Sequence, residues 1–132
     1  MPRRQSDKRA SPSQRQLRVG ELIRHALAEM LTRGQIREEA LATYVVTVSE
    51  VRMSPDLRQA TIYVMTHEPD GLEPVLAAFE RSKRYIRGQV AQAVNLKFAP
   101  DIRFTADEAF DEAQRIDALL RSPQVAQDLK KS

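Results

Sequence analysis

Apolar side chains recur at two different periods along this chain, and the changes of period mark out the elements. Val19, Leu22, Ile23, Ala26, Leu27, Met30 and Leu31 follow a 3.6-residue spacing, which predicts an amphipathic helix. Ser11-Pro12-Ser13-Gln14 stands ahead of them as a helix start, with Ser11 as N-cap, Pro12 at the first helical position and Gln14 at the third; Gly34 closes the helix. Its outward face carries Arg18, Glu21, Arg24, His25 and Glu29. The next run, Thr43 to Met53, is TYVVTVSEVRM, β-branched and uncapped, and predicts a strand. Ser54-Pro55-Asp56-Leu57 is a turn, after which Ala60, Ile62 and Val64 alternate with Thr61, Tyr63 and Met65. Those two runs make a hairpin.

Helical spacing returns at Leu72 and contains one misfit. On a helical wheel Leu72, Val75, Leu76 and Phe79 fall within one arc, and Ile86, Val90, Ala93, Val94 and Lys97 fall within the same arc. Lys83 interrupts that stripe. A buried, unpaired ammonium is too costly to keep, so either Lys83 snorkels outward or the helix bends and exposes it. The bend is the preferred reading, giving two helices at about 72–82 and 84–95. Arg81, Arg84 and Arg87 lie on an adjoining arc and would crowd positive charge at the elbow.

Ile102 and Phe104 then alternate with polar neighbours, and Pro100 confines that stretch to an edge strand or a strand start. Ala109, Ala113, Ile116 and Leu120 predict a short C-terminal helix with an acidic outer face. The order α-β-β-α-α-β is that of an α+β fold, a three-stranded sheet with helices packed on one face. Residues 1–12 are expected to be a disordered basic arm, 13–120 the domain, and 121–132 a flexible tail.

Composition changes this picture mainly through charge. The net charge of +3 hides an asymmetry: residues 1–24 hold seven cations against Asp7 and Glu21, leaving the remainder net negative. A basic arm on a nearly neutral domain suggests a polyanionic partner. The chain has no Cys, which removes disulfides and thiolate chemistry and is compatible with a reducing compartment. No apolar run is long enough for a membrane span, and the basic N-terminus has no apolar stretch behind it to act as a secretory signal. Cytoplasm is the expected location.

Catalytic groups are sparse. His25 and His67 are the only imidazoles, placed on a helix flank and in a loop, and no phosphate-binding loop, GxGxxG or GxSxG occurs. Asp107, Glu108, Asp111 and Glu112 could face a metal, but they sit where a helix N-terminus favours acids. The reading is a non-enzyme with no cofactor and no metal. Nucleic-acid binding instead needs cations for phosphates and an aromatic face for a base. Arg81, Lys83, Arg84 and Arg87 supply the first and Tyr85 the second, and no acid occurs between residues 81 and 97. Lys97, with Arg15, Arg18 and Arg24 of the first helix, would add phosphate contacts.

The hairpin segment VTVSEVRMSPDLRQATIYV, residues 46–64, resembles ribosome-binding factor A of bacteria. Further likeness lies in Gln14–Val19, Tyr85-Ile86-Arg87, Leu96–Phe104, Asp107, Arg115-Ile116 and Leu119-Leu120, so it spans about residues 13–120. The resemblance implies a KH-type domain, α-β-β-α-kink-α-β, whose kink is usually written A-x-G. Ser82-Lys83-Arg84 occupies those positions and lacks both the Ala and the Gly. It implies a monomer that binds free, immature small ribosomal subunits near the 5′-terminal helix of their rRNA. Late maturation, rRNA processing and cold adaptation would be its setting, with assembly GTPases acting beside it. Three other readings stay open: a general single-stranded RNA or DNA chaperone, a protein-interaction module, and a small hydrolase using the acids at 107–112.

Overall fold

In a computed structural model, which describes residues 11–107 and 120, the chain forms α1 (Gln14–Thr32), α2 (Glu39–Thr43), β1 (Val46–Met53), β2 (Gln59–Thr66), α3 (Leu72–Arg81), α4 (Lys83–Val94) and β3 (Asp101–Ala106). A single 3-10 turn, Pro69–Gly71, leads into α3. This is the expected order with α2 added. Five residues show no recoverable periodicity, so α2 had no signal in the sequence, and β1 begins at Val46 rather than Thr43.

The sheet runs in the order β1-β2-β3, with β1 antiparallel and β3 parallel to β2. β3 is thus an edge strand, as Pro100 requires. Ser49 forms a β-bulge that shifts the register between Val48↔Val64 and Glu50↔Tyr63. That shift is why Val48 and Met53, out of phase in the sequence, are both buried on the helix-covered face. Ala60, Ile62, Val64, Ile102 and Phe104 complete that face. Phe79 of α3 stacks on Phe104 with ring centres 4.7 Å apart.

α1 crosses β1 and α4. It begins two residues later than Ser11 implied. Ser13 is the N-cap: its Oγ accepts from the Gln16 N–H at 3.1 Å, and Gln16 Oε1 accepts from the Ser13 N–H at 2.8 Å. Serine precedes glutamine by three residues twice here, at 11 and 14 and at 13 and 16. The second register wins because Gln16 Nε2 also donates to the Met53 carbonyl at 3.0 Å, tying the helix start to β1. Val19, Ile23, Leu27 and Met30 are buried as expected, whereas Leu22 is 45% exposed. Gly20 lets α1 approach the sheet, since a Cβ there would lie 2.5 Å from the Val51 carbonyl oxygen. Gly34, at φ 64°, turns the chain after α1.

The C-terminal helix over Ala109, Ala113 and Ile116, the acids at 108, 111 and 112, the basic residues of 1–10 and the tail from 121 lie outside the described residues.

Candidate nucleic-acid interface

The helix pair bends one residue earlier than the wheel suggested. Ser82 has φ −97° and ψ 6°, a conformation open to any L-residue, which is why the kink forms without Ala or Gly. Its N–H donates to the Ala78 carbonyl at 3.1 Å and its own carbonyl accepts from the Ile86 N–H at 3.0 Å. One residue therefore ends α3 and opens α4. Beyond the break Ile86 and Val90 are fully buried, and Lys83, now the first residue of α4, leaves the core with its side chain 36% exposed. Ala93, placed in the same arc by the wheel, is exposed, and Lys97 lies in the loop after α4.

The elbow gathers Arg81, Lys83, Arg84, Tyr85 and Arg87, but it also gathers acids. Arg81 donates through Nε and Nη2 to Glu38 Oε1 at 3.1 and 2.7 Å. That hydrogen bonding holds the Glu38 carboxyl below the usual carboxylate range. Lys83 Nζ stands 2.9 Å from Glu80 Oε2. Arg87 donates to the carbonyls of Pro100 and Ala99 at 3.0 and 3.2 Å and stands 3.3 Å from Asp101. The run without acids in the sequence is therefore partly neutralised by Glu80 and Asp101 just outside it and by Glu38, 43 positions from Arg81. Among the described residues Arg84 is the elbow cation with no ion pair, and Tyr85 is 45% exposed beside it. Exposed pairs such as these are worth about 0–1 kcal/mol, so a phosphate can displace the carboxylate.

Two further cations join the elbow that the sequence did not single out. Arg33 and Arg37, carried by the turn at Gly34, line one cleft with Arg81, Ser82 and Tyr85. Lys83, Arg84 and Arg87 line a second cleft on the other flank with Gly88 and Asp101. Only tertiary folding brings the end of α1 to the bend, so no local pattern could have found Arg33 and Arg37.

The remaining candidates lie elsewhere. Arg24 is held by Glu21, its Nε donating at 3.1 Å to both carboxylate oxygens, and this bonding holds Glu21 below the usual carboxylate range. Arg18 is exposed on α1. Arg15 and Lys97 come together at the opposite end of α1, where Arg58 and Phe98, neither flagged by the sequence, join them. On the sheet face opposite the described helices Arg52 sits 5.0 Å from the Tyr63 ring centre and pairs with Glu50 at 2.8 Å. Among the described residues no His, Asp and Glu side chains group in a way that could hold a metal. No helix there is long and apolar enough to cross a membrane.

Comparison with known proteins adds a family. The family profile described as Ribosome-binding factor A matches residues 15–120. A Ribosome-binding factor A of Rhodopseudomonas palustris (strain HaA2) is 55% identical over 129 residues, covering 98% of this chain and 96% of the relative. One from Methylorubrum extorquens (strain PA1) is 60% identical over 121 residues, covering 92% and 83%. Among solved structures, that of a Thermotoga maritima protein superposes with a TM-score of 0.61 at 31% identity, over 72% of this chain and 89% of the other. The crystal structure of ribosome-binding factor A from Thermus thermophilus gives 0.59 at 24% identity, over 69% and 94%, and speaks for the fold.

Proposed function

The chain belongs to the ribosome-binding factor A family, and on that premise we propose that it binds free, immature small ribosomal subunits and assists their late maturation. The observation that carries this reading is likeness to relatives of that name along almost the whole chain. The geometry supplies a means. An elbow at Ser82 turns Arg84 and Tyr85 outward and surrounds them with Arg33, Arg37, Arg81, Lys83 and Arg87.

In this reading the elbow faces rRNA near the 5′-terminal helix of the small subunit. Phosphates replace Glu38, Glu80 and Asp101 as partners of the cations, and Tyr85 offers a face to an unpaired base. Arg15, Arg18, Lys97 and the basic residues of 1–12 add phosphate contacts, while Arg24 contributes only once released from Glu21. The protein acts as a cytoplasmic monomer by binding rather than turnover. It holds one rRNA conformation, is displaced when the mature one forms, and leaves before translation. Processing of the rRNA, adaptation to cold and assembly GTPases working beside it belong to the same setting.

Sucrose-gradient cosedimentation tests the reading. The protein should travel with free small subunits and be absent from assembled ribosomes. Equal binding to short oligonucleotides and to subunits would instead indicate a general nucleic-acid chaperone, and binding insensitive to salt a protein-docking module.

A further inference from the structure

Phe98 is the most exposed large apolar side chain among the described residues, at 59%. Its exposure is built into the backbone around it. Asn95, in the left-handed region at φ 53°, ends α4, Leu96 packs against the core, and Pro100 is buried. Across from it the β1–β2 turn is held just as firmly. Ser54 Oγ donates to Asp56 Oδ1 at 2.7 Å and accepts from the Gln59 N–H at 2.9 Å. Leu57, at φ 62°, packs against the core and aims Arg58 at the ring. The Arg58 carbonyl then accepts from the Asp101 N–H at 2.8 Å, joining the turn to β3.

The Arg58 guanidinium carbon and Lys97 Nζ each stand 5.5 Å from the Phe98 ring centre. Arg15, in the first turn of α1, lines the same depression. Asp56 is the acid of that lining, and its carboxylate already accepts from Ser54 Oγ and the Arg58 N–H. Arg15, Arg58 and Lys97 form no ion pair with a described carboxylate.

We propose that Phe98 is a stacking platform for an unpaired RNA base, with Arg15, Arg58 and Lys97 taking the phosphates on either side of it. The ring supplies the face that any base can use, and three cations against one engaged acid select a polyanion. Cation-π contacts near 6 Å in water are weaker than base stacking, so a base displaces the cations and frees them for phosphates. This site rests on the reading that the chain binds rRNA and adds a contact point separate from the elbow.

The chain has no tryptophan, so Phe98→Trp introduces the sole indole as a reporter. Titration of that protein with an oligoadenylate of about ten nucleotides at low salt should quench its fluorescence saturably. Phe98→Ala, at an exposed position, should keep the fold by circular dichroism and weaken binding to free small subunits by roughly 5- to 150-fold. Unaltered subunit affinity in Phe98→Ala, an unquenched indole, or quenching by RNA-free ribosomal proteins in place of the oligonucleotide would each overturn the platform. Quenching by oligoadenylate while the unsubstituted protein fails to cosediment with subunits would keep the platform and overturn the ribosomal reading.

Discussion

The two ends of α1 each hold an exposed aromatic ring among cations, and they hold them differently. Near Arg33 the elbow places Tyr85 beside Arg81, Lys83, Arg84 and Arg87, and three of those four cations face Glu38, Glu80 or Asp101. Near Arg15 the hairpin end places Phe98 beside Arg58 and Lys97, which lean on the ring and form no ion pair with a described carboxylate. The elbow is richer in charge along the sequence and the hairpin end is freer in space. Charge counted in a run is therefore not charge available to a ligand, because folding brings acids from other elements to meet it. Cations held by exposed carboxylates still bind RNA, but each must first exchange a partner, which favours a dense array of phosphates over a stray one.

Breaking α1 itself should have the largest effect, because it serves both ends. Gly20→Ala places a methyl against the Val51 carbonyl, and a backbone oxygen cannot move aside as a side chain can. A loss of about 1–3 kcal/mol in denaturant unfolding is expected; unchanged stability would mean that α1 can ride off the sheet without penalty. Next, replacing Arg81, Lys83, Arg84 and Arg87 together by Ala should weaken subunit binding and flatten its salt dependence while leaving the fold intact. Arg84→Ala should produce more of that flattening than any other single change among the four, since of those four it is the one that forms no ion pair with a described carboxylate. If Arg81→Ala matched it, the carboxylates would not be restraining the elbow. A smaller effect of opposite sign is expected from Glu38→Gln. Releasing Arg81 should tighten subunit binding by about two- to fivefold, the equivalent of an exposed ion pair, measured by the same cosedimentation. The smallest effect concerns pH. Glu38 titrates below its usual range because Arg81 bonds to its ionised form, so its contribution to stability is present above the ordinary carboxylate range and lost as pH falls through the lowered value. Thermal melts from neutral to acid pH should therefore show a slightly steeper loss for the unsubstituted protein than for Glu38→Gln.

Much of this fold could be read from periodicity. The hairpin, the helix pair and the edge strand followed from alternation, a 3.6-residue stripe and Pro100, and the misfit at Lys83 located the bend to within one residue. What the sequence concealed was mostly non-local. α2 is too short to show a period. The N-cap choice between Ser11 and Ser13 is decided by a bond from Gln16 to a strand 37 positions away. Val48 and Met53 share a face only because of a bulge whose residue, Ser49, looks like any other strand serine. At the site, Tyr85 and the elbow cations were legible because they are neighbours in sequence. Arg33, Arg37, Arg58 and Phe98 were not, because the end of α1, the hairpin turn and the loop after α4 are separate stretches of the chain that only folding sets beside their sites.

The close seating of α1 at Gly20 has a further consequence. With a carbonyl in the space a side chain would need, the rod lies directly against β1, and as one unbroken helix it holds its two ends a fixed distance apart. From Arg15 to Arg33 that span is about 27 Å at 1.5 Å per residue. Grips at both ends of so stiff a calliper reinforce each other only on a surface whose two footholds match its gauge. A loose strand gains little from the second grip, whereas a folded subunit of the right dimension gains the product of both.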